Sequence, residues 1–255
     1  TEGYLFQYFP STGQMKQTEA FHNNSIKSLA LDGNGDLLAG TDNGLYVYHN
    51  DTTPLQHIIH DSRNIQSLTN NIIWNIFADQ EHNIWLGTDY GISLSRYNSA
   101  LQFIPISQIT GTGDGNQFYS LFRDSKGFYW FGGTNGLIRF TDPAGERHDT
   151  IWYRMGDKTY PLSHNRIRHI YEDKEQQLWI ATDGSINRYD YATRQFIHYN
   201  IVDSTGMYNT NWTYYMFEDT AGQLWISTCL GGIFVVDKHK LMQSASGQYV
   251  AEQNY

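Results

Sequence analysis

DSKGFYWFGGTNGLIRF, residues 124–140, reads as two strands and two turns. Asp124-Ser125-Lys126-Gly127 places Asp first and Gly fourth, the preference of a type I turn. Phe128 to Gly132 is aromatic and strand-forming. Thr134-Asn135-Gly136 reverses the chain, because Asn and Gly tolerate positive φ, and Leu137 to Phe140 returns as the next strand. Outward from this core, the apolar run FYSLFR before Asp124 predicts a preceding strand. After a turn at Pro143-Ala144-Gly145, the segment Ile151 to Tyr153 predicts a following one. The result is a unit of four short antiparallel strands.

The unit occurs five times. Asp32, Asp79, Asp124, Asp173 and Asp219 recur at intervals of 47, 45, 49 and 46 residues. Six residues after each stands Leu38, Trp85, Trp130, Trp179 or Trp225, and six further on Gly44, Gly91, Gly136, Ser185 or Gly231. A period in the mid-forties made only of strands predicts an all-β fold, a β-propeller. Tyr4 to Phe9 and Met15 to Phe21 read as a leading half blade. Gly232 to Asp237 and Gln248 to Glu252 read as the third and fourth strands of the last blade. The expected layout is a half blade at 1–23 and blades at 24–64, 65–109, 110–157, 158–204 and 205–255, essentially without helix, in a segment of a longer propeller array. The terminal blade faces are expected to be apolar and uncovered.

Composition agrees: 15% aromatic, 17% charged and 23 Gly in 255 residues suit many half-buried strands and many turns. A net charge of −9 with no long Lys/Arg run lacks the footprint of a nucleic-acid binder. The single Cys229 excludes an internal disulfide and a thiolate metal cluster. No apolar stretch is long enough to span a membrane. No nucleophile elbow or metal-ligand spacing is present, so the sequence predicts no catalytic residue, metal or cofactor. The repeated Asp reads as a turn cap, and the repeated Trp as core between blades.

The pattern Asp-x-x-Gly-x-x-Trp-Ile-Gly-Thr-x-x-Gly-Leu-x-Arg-Tyr resembles the two-component regulator propeller repeat. It is carried by residues 79–97 (DQEHNIWLGTDYGISLSRY), 173–189 (DKEQQLWIATDGSINRY) and 219–234 (DTAGQLWISTCLGGIF), with the lead-ins SLTNN at 67–71 and PLSHN at 161–165. The resemblance implies a periplasmic sensor segment of a hybrid two-component system, in which propellers bind an oligosaccharide and a histidine kinase lies elsewhere in the parent chain. The implied partners are that ligand, the remaining blades and signalling domains of the parent, and a second copy in a homodimer. Contact with a membrane would come only through the parent, and nucleic acid is not expected for this segment. Alternatives are a protein-interaction scaffold and a propeller glycoside hydrolase or lyase. The Asp-box of sialidase-like propellers is one residue shorter between Asp and Trp, and no arginine triad accompanies it here.

Ligand contacts are expected where the repeats differ, at the entrance to the first strand of each blade. Seven and five residues before the repeated Asp lie Ser25/Lys27, Ile72/Trp74, Gln117/Tyr119, Arg166/Arg168 and Trp212/Tyr214. Strand alternation predicts that each pair points one way. Three residues before the Asp the chain is always apolar: Leu29, Ile76, Leu121, Ile170, Met216. The candidate ligand-binding residues are Trp74, Tyr90, Tyr119, Asn165, Arg166, Arg168, Trp212 and Tyr214, aromatic faces and polar groups of the kind that hold sugars. His164 and His169 beside the two arginines suggest a positive cluster able to accept a uronate or sulfate.

Overall fold

A computed structural model describes residues 4–17, 24–49, 54–98, 103–105, 107, 116–141, 150–159, 161–244 and 248–255. The turn expected at residues 143–145 lies outside these. The chain forms two compact units, residues 1–121 and 122–255.

In the first unit an antiparallel hairpin, β1 (Phe6–Phe9) and β2 (Gln14–Gln17), precedes two four-stranded meanders. One is β3 (Ile26–Leu31), β4 (Leu37–Thr41), β5 (Gly44–Tyr48) and β6 (Pro54–Ile58). The next is β7 (Ile73–Ala78), β8 (Ile84–Thr88), β9 (Ile92–Ser95) and β10 (Phe103–Pro105). The division between units falls within β11 (Phe118–Arg123), the first strand of a sheet continued by β12 (Tyr129–Gly133), β13 (Gly136–Phe140) and β14 (Ile151–Tyr153). The second unit adds β15 (Ile167–Glu172), β16 (Leu178–Thr182), β17 (Ser185–Asp190) and β18 (Gln195–Val202). Its last sheet is β19 (Thr213–Glu218), β20 (Gln223–Thr228), β21 (Ile233–Asp237) and β23 (Gln253–Asn254). Five four-stranded blades and a leading hairpin are the architecture expected of the repeat.

Facing sheets bury the repeated large residue between them. In the first unit Leu38, Leu45 and Val47 of one blade pack on Ile73, Ile76, Ile84 and Leu86 of the next. In the second, Trp130, Leu137 and Tyr153 pack on Ile167, Ile170 and Ile180, and Trp179, Ile186 and Tyr199 pack on Met216, Leu224 and Ile226. Full burial of such side chains contributes about 1.5–3 kcal/mol each, which makes blade-on-blade contact the main source of cohesion. Outer surfaces at the two ends stay apolar and open: Leu29 and Leu31 on β3, and Phe217, Ile233 and Tyr255 around the last sheet, are exposed.

The end of the chain departs from expectation. Gln248 to Glu252 does not close the last blade. β22 (Gln248–Val250) instead runs parallel to β18 of the preceding blade, with Ile201 opposite Tyr249, and β23 supplies the fourth strand, with Phe234 opposite Asn254. The detour is made by a short helix, α1 (Lys238–Gln243), where no helix was expected. Asp237 caps it, its side chain accepting from the His239 and Lys240 amides. Leu241 is buried, and the Ala251 amide donates to the Val202 carbonyl at 2.9 Å, so burial and pairing both favour the detour over direct closure.

Strand pairing is irregular at the entrance to the first strands. Pairing shifts register between Ile26 and Ser28, Ile73 and Asn75, Ile167 and His169, and Thr213 and Tyr215. Lys27, Trp74, Arg168 and Tyr214 are therefore bulged residues. A bulge adds a residue without a cross-strand partner and re-aims its side chain, yet Arg168 still reaches the same Asp183 as Arg166, two positions earlier.

Candidate functional site

The repeated Asp is a structural anchor. Asp79, Asp124, Asp173 and Asp219 each accept through Oδ1 from the amides two and four residues on. Through Oδ2 each accepts the indole N–H of the Trp six residues on, at 2.8–2.9 Å. Each carboxylate thus accepts at least three hydrogen bonds from its own turn and strand, the work of a structural cap. Among the described residues no group of three or more His, Cys, Asp or Glu is arranged to hold a metal, and no helix is long and apolar enough to cross a membrane.

Two of the bulged residues, Trp74 and Arg168, are held by a second set of aspartates, ten residues after the anchors. In the first unit the Trp74 indole N–H donates to Asp89 Oδ1 at 3.0 Å, and Gln117 Nε2 donates to the same oxygen at 2.6 Å. Gln117 Oε1 accepts from the Tyr119 hydroxyl. The Trp74 and Tyr119 rings meet edge to face with centroids 5.3 Å apart, and Lys27 Nζ lies 4.5 Å from the Trp74 ring centre. Lys27, Trp74 and Tyr119 thus form one fixed row. Tyr90, next to Asp89, is exposed and is held only through its backbone, whose amide donates to Thr88 Oγ1.

In the second unit Asp183 plays the part of Asp89. Arg168 donates to both its oxygens, at 2.6 and 3.2 Å, the bidentate geometry that fixes a guanidinium. Arg166 Nε lies 3.8 Å from Asp183 Oδ2. The Arg168 guanidinium sits 5.0 Å from the Tyr214 ring centre, and the Tyr214 hydroxyl donates to Cys229 Sγ at 3.7 Å. Trp212 joins the group through its backbone, its amide donating to the Asp183 carbonyl at 3.2 Å. Asp183 compensates one of the two arginine charges of the expected positive cluster. His169 adds no charge to it: burial lowers its pKa from 6.5 to about 4, and its Nδ1 accepts from the Met216 amide.

Asn165 stands apart. Its carbonyl accepts from Gly136, a left-handed residue with φ 105°, and its Oδ1 accepts from the Met155 amide at 2.7 Å. Asn71 does the same for Gly44 and His60. These asparagines stitch one blade's loops to the next. In the fifth unit the left-handed turn residue is Gly232 rather than Gly231, because one extra residue enters the hairpin and the Thr228 amide reaches Gly232.

Sequence reading missed Asp89 and Asp183. The signal was present, since Asp42, Asp89 and Asp183 share one offset in their repeats, but Thr134 and Cys229 occupy it in the third and fifth units.

Comparison with known proteins bears on this arrangement. The family described as Two component regulator propeller matches residues 67–90, 112–135 and 161–184. Two solved structures of the extracellular domain of BT4673 from B. thetaiotaomicron, described in one as a putative one component system and in the other as a putative hybrid two component system, are 96% and 97% identical to this chain. Each is covered over 100% of this chain and 34% of its own length, with TM-score 0.58. The extracellular domain of BT3049 from the same organism is 24% identical over 85% of this chain and 27% of its own, with TM-score 0.68. PorZ, a surface component of the type-IX secretion system of Porphyromonas gingivalis, shares the fold at 13% identity, over 96% of this chain and 38% of its own, with TM-score 0.71. The chain spans about a third of the length of the BT4673 domain it matches. No curated protein matches it.

Proposed function

Since the chain carries the two component regulator propeller repeat, we propose that it is a ligand-sensing segment of the periplasmic part of a hybrid two-component sensor, binding an oligosaccharide. The kinase lies in the remainder of the parent chain, and a shift in a dimer equilibrium passes the signal on. A ligand moves such an equilibrium only by preferring one of its states, and preference requires a rigid, specific contact surface. The observation that carries the reading is the bulged position. In four of the five blades it holds a different long side chain, Lys27, Trp74, Arg168 or Tyr214, and the Trp and Arg are locked by a buried or half-buried aspartate. Variable side chains on an invariant and expensive scaffold suit recognition. Catalysis would need a free acid, base or nucleophile at that position, and these groups are engaged with one another.

The test is a calorimetric screen of glycan fragments against the complete extracytoplasmic region of the parent chain. Micromolar or tighter binding of a defined oligosaccharide is expected, and a screen without any carbohydrate binder would overturn the reading.

A further inference from the structure

Among the described residues Trp212 is the one tryptophan in the left-handed region, with φ 53°. Its counterparts Ser25, Ile72 and Arg166, in the same repeat slot, do not share that conformation. A bulky residue there is strained, and Gly would avoid the strain. The side chain is also 46% exposed, so burial does not repay the strain. Around it the segment 203–212 and the hairpin at Leu230–Gly231 enclose a cleft of about 480 Å³, a volume typical of small-ligand sites. Met207, 73% exposed, and Leu230, 79% exposed, line it with Tyr208, Asn211 and Asp183.

Three polar side chains of this cleft are unused. The Trp212 indole N–H, the Tyr208 hydroxyl and the Asn211 side-chain amide make no hydrogen bond to any described residue. That contrasts with Trp74, Tyr119, Arg168 and Tyr214, which all do. The walls are nevertheless fixed. Asp203 accepts from the Thr205 and Tyr208 amides, and Asn209 Oδ1 accepts from the Asn211 amide at 3.0 Å. An open aromatic face beside a donor and an amide, on a pinned loop, matches a pyranose ring, which offers an apolar C–H face to stack and hydroxyls at its edge. The one charged residue among those that line the cleft is Asp183, and Arg168 already holds it through both oxygens, so the lining offers no unpaired cation to an acidic sugar and suits a neutral one.

Resting on the sensing role proposed above, we infer that the cleft of Tyr208, Asn211, Trp212 and Leu230 is a subsite for one neutral pyranose residue of the oligosaccharide, stacked on Trp212. The test uses the full extracytoplasmic protein and a panel of neutral gluco-, manno-, galacto- and xylo-oligosaccharides, with uronic-acid oligosaccharides alongside, read by calorimetry and by thermal unfolding. A neutral member should bind. Trp212→Ala and Trp212→Gly should each weaken it about tenfold or more, with the Gly variant melting at or above the wild-type temperature. Tyr208→Phe, which removes only a hydroxyl, should weaken it less. Wild-type affinity in Trp212→Ala and Trp212→Gly would overturn the subsite and leave the sensing role standing. Binding of uronic-acid oligosaccharides alone would overturn the neutral assignment. Absence of any binder would overturn subsite and sensing role together.

Discussion

Trp179 donates its indole N–H to Asp173 Oδ2 at 2.9 Å, and the same oxygen lies 3.2 Å from Lys238 Nζ. The spacing of six between the repeated Asp and Trp is thereby a bond length as well as a pattern: the turn must be as long as it is for the indole to reach back. Trp179→Ala loses both the bond and the filling between blades, and should cost about 3–5 kcal/mol in urea unfolding. Trp179→Phe keeps most of the volume and should cost about 1–3 kcal/mol. In the first blade Leu38 replaces the Trp, and Asp32 caps its turn through Oδ1, accepting the Asn34 and Asp36 amides at 2.8 Å, while its Oδ2 meets only the Asn34 side-chain amide at 3.4 Å. Asp32→Asn keeps that acceptor and should change stability by less than about 1 kcal/mol. Equal losses for Asp32→Asn and Trp179→Phe would refute the distinction.

Lys238, at the start of the unexpected helix, is 1% exposed and lies 3.1 Å from Glu218 and 3.2 Å from Asp173, both buried. Burial alone would lower its pKa, but the hydrogen bond to Glu218 and the charge of Asp173 hold it above 10.5. Lys238→Met strands two buried carboxylates and should destabilise by about 3–5 kcal/mol at neutral pH. Because the folded pKa is raised, the lysine's contribution is fully present below the unfolded value of 10.5 and fades as pH rises through the folded one. Chemical denaturation repeated from neutral to strongly alkaline pH should show the gap between wild type and variant closing, and a gap that widens with pH would sink this account.

The fold was legible because its instructions are local and repeated. The turn signal at Asp124 to Gly127, the aromatic strand behind it and the left-handed Gly136 each lie within a few residues, and five copies remove ambiguity. The bulge was not legible. It is a property of register between two strands, and the residues that carry it, Lys27, Trp74, Arg168 and Tyr214, have no side-chain chemistry in common. The last closure was misread because Gln248–Val250 has an ordinary strand pattern, while its partner β18 belongs to the preceding blade. At the site, aromatic and arginine candidates could be picked from their variable slots, but whether each was engaged or open depended on aspartates ten residues past the anchor. Trp74, five residues before its anchor, meets Asp89, whereas Trp212, seven before its own, has no such partner among the described residues.

The small residue two after the repeated Trp sets how closely blades approach. A Cβ built on Gly132 would lie 2.4 Å from Ile167 Cγ2, and one on Gly40 would lie 2.7 Å from Ile73 Cγ2. The fourth unit carries Ala181 at this position, fully buried, so its neighbour has already made room for a methyl group. Gly132→Ala should destabilise by about 1–3 kcal/mol through overpacking, whereas Ala181→Gly should cost about 0.5–1 kcal/mol through added backbone freedom. Thermal melts of the two variants check the order, and a stabilised Gly132→Ala would show that the blades can move apart at little cost.

His169 gives the protein a stability slope in mildly acidic solution. Its ring stacks on Tyr215 with centroids 4.1 Å apart, and its Nδ1 accepts from the Met216 amide at 3.3 Å, a bond that protonation would remove. Burial lowers its pKa from 6.5 to about 4. The unfolded chain therefore takes up a proton on this residue at a pH where the folded chain refuses it. A depressed folded pKa on a cationic group means the neutral ring's full contribution is present above 6.5 and is lost as pH falls from 6.5 toward 4. Within that window the loss cannot exceed about 1.4 kcal/mol per pH unit for one proton. The carboxylates with lowered values, Asp219 and Asp237 among them, start from 3.8 in the unfolded chain and so act mainly below the window. Unfolding free energies measured by urea at pH 7, 6 and 5 (about one unit apart, within the window's reach) should decline in wild type. In His169→Gln, which keeps a side-chain acceptor for the Met216 amide but cannot be protonated, the decline should be markedly shallower. Equal slopes in the two proteins would mean that His169 is protonated in the folded state and that its burial between the last two blades is less complete than its surroundings indicate.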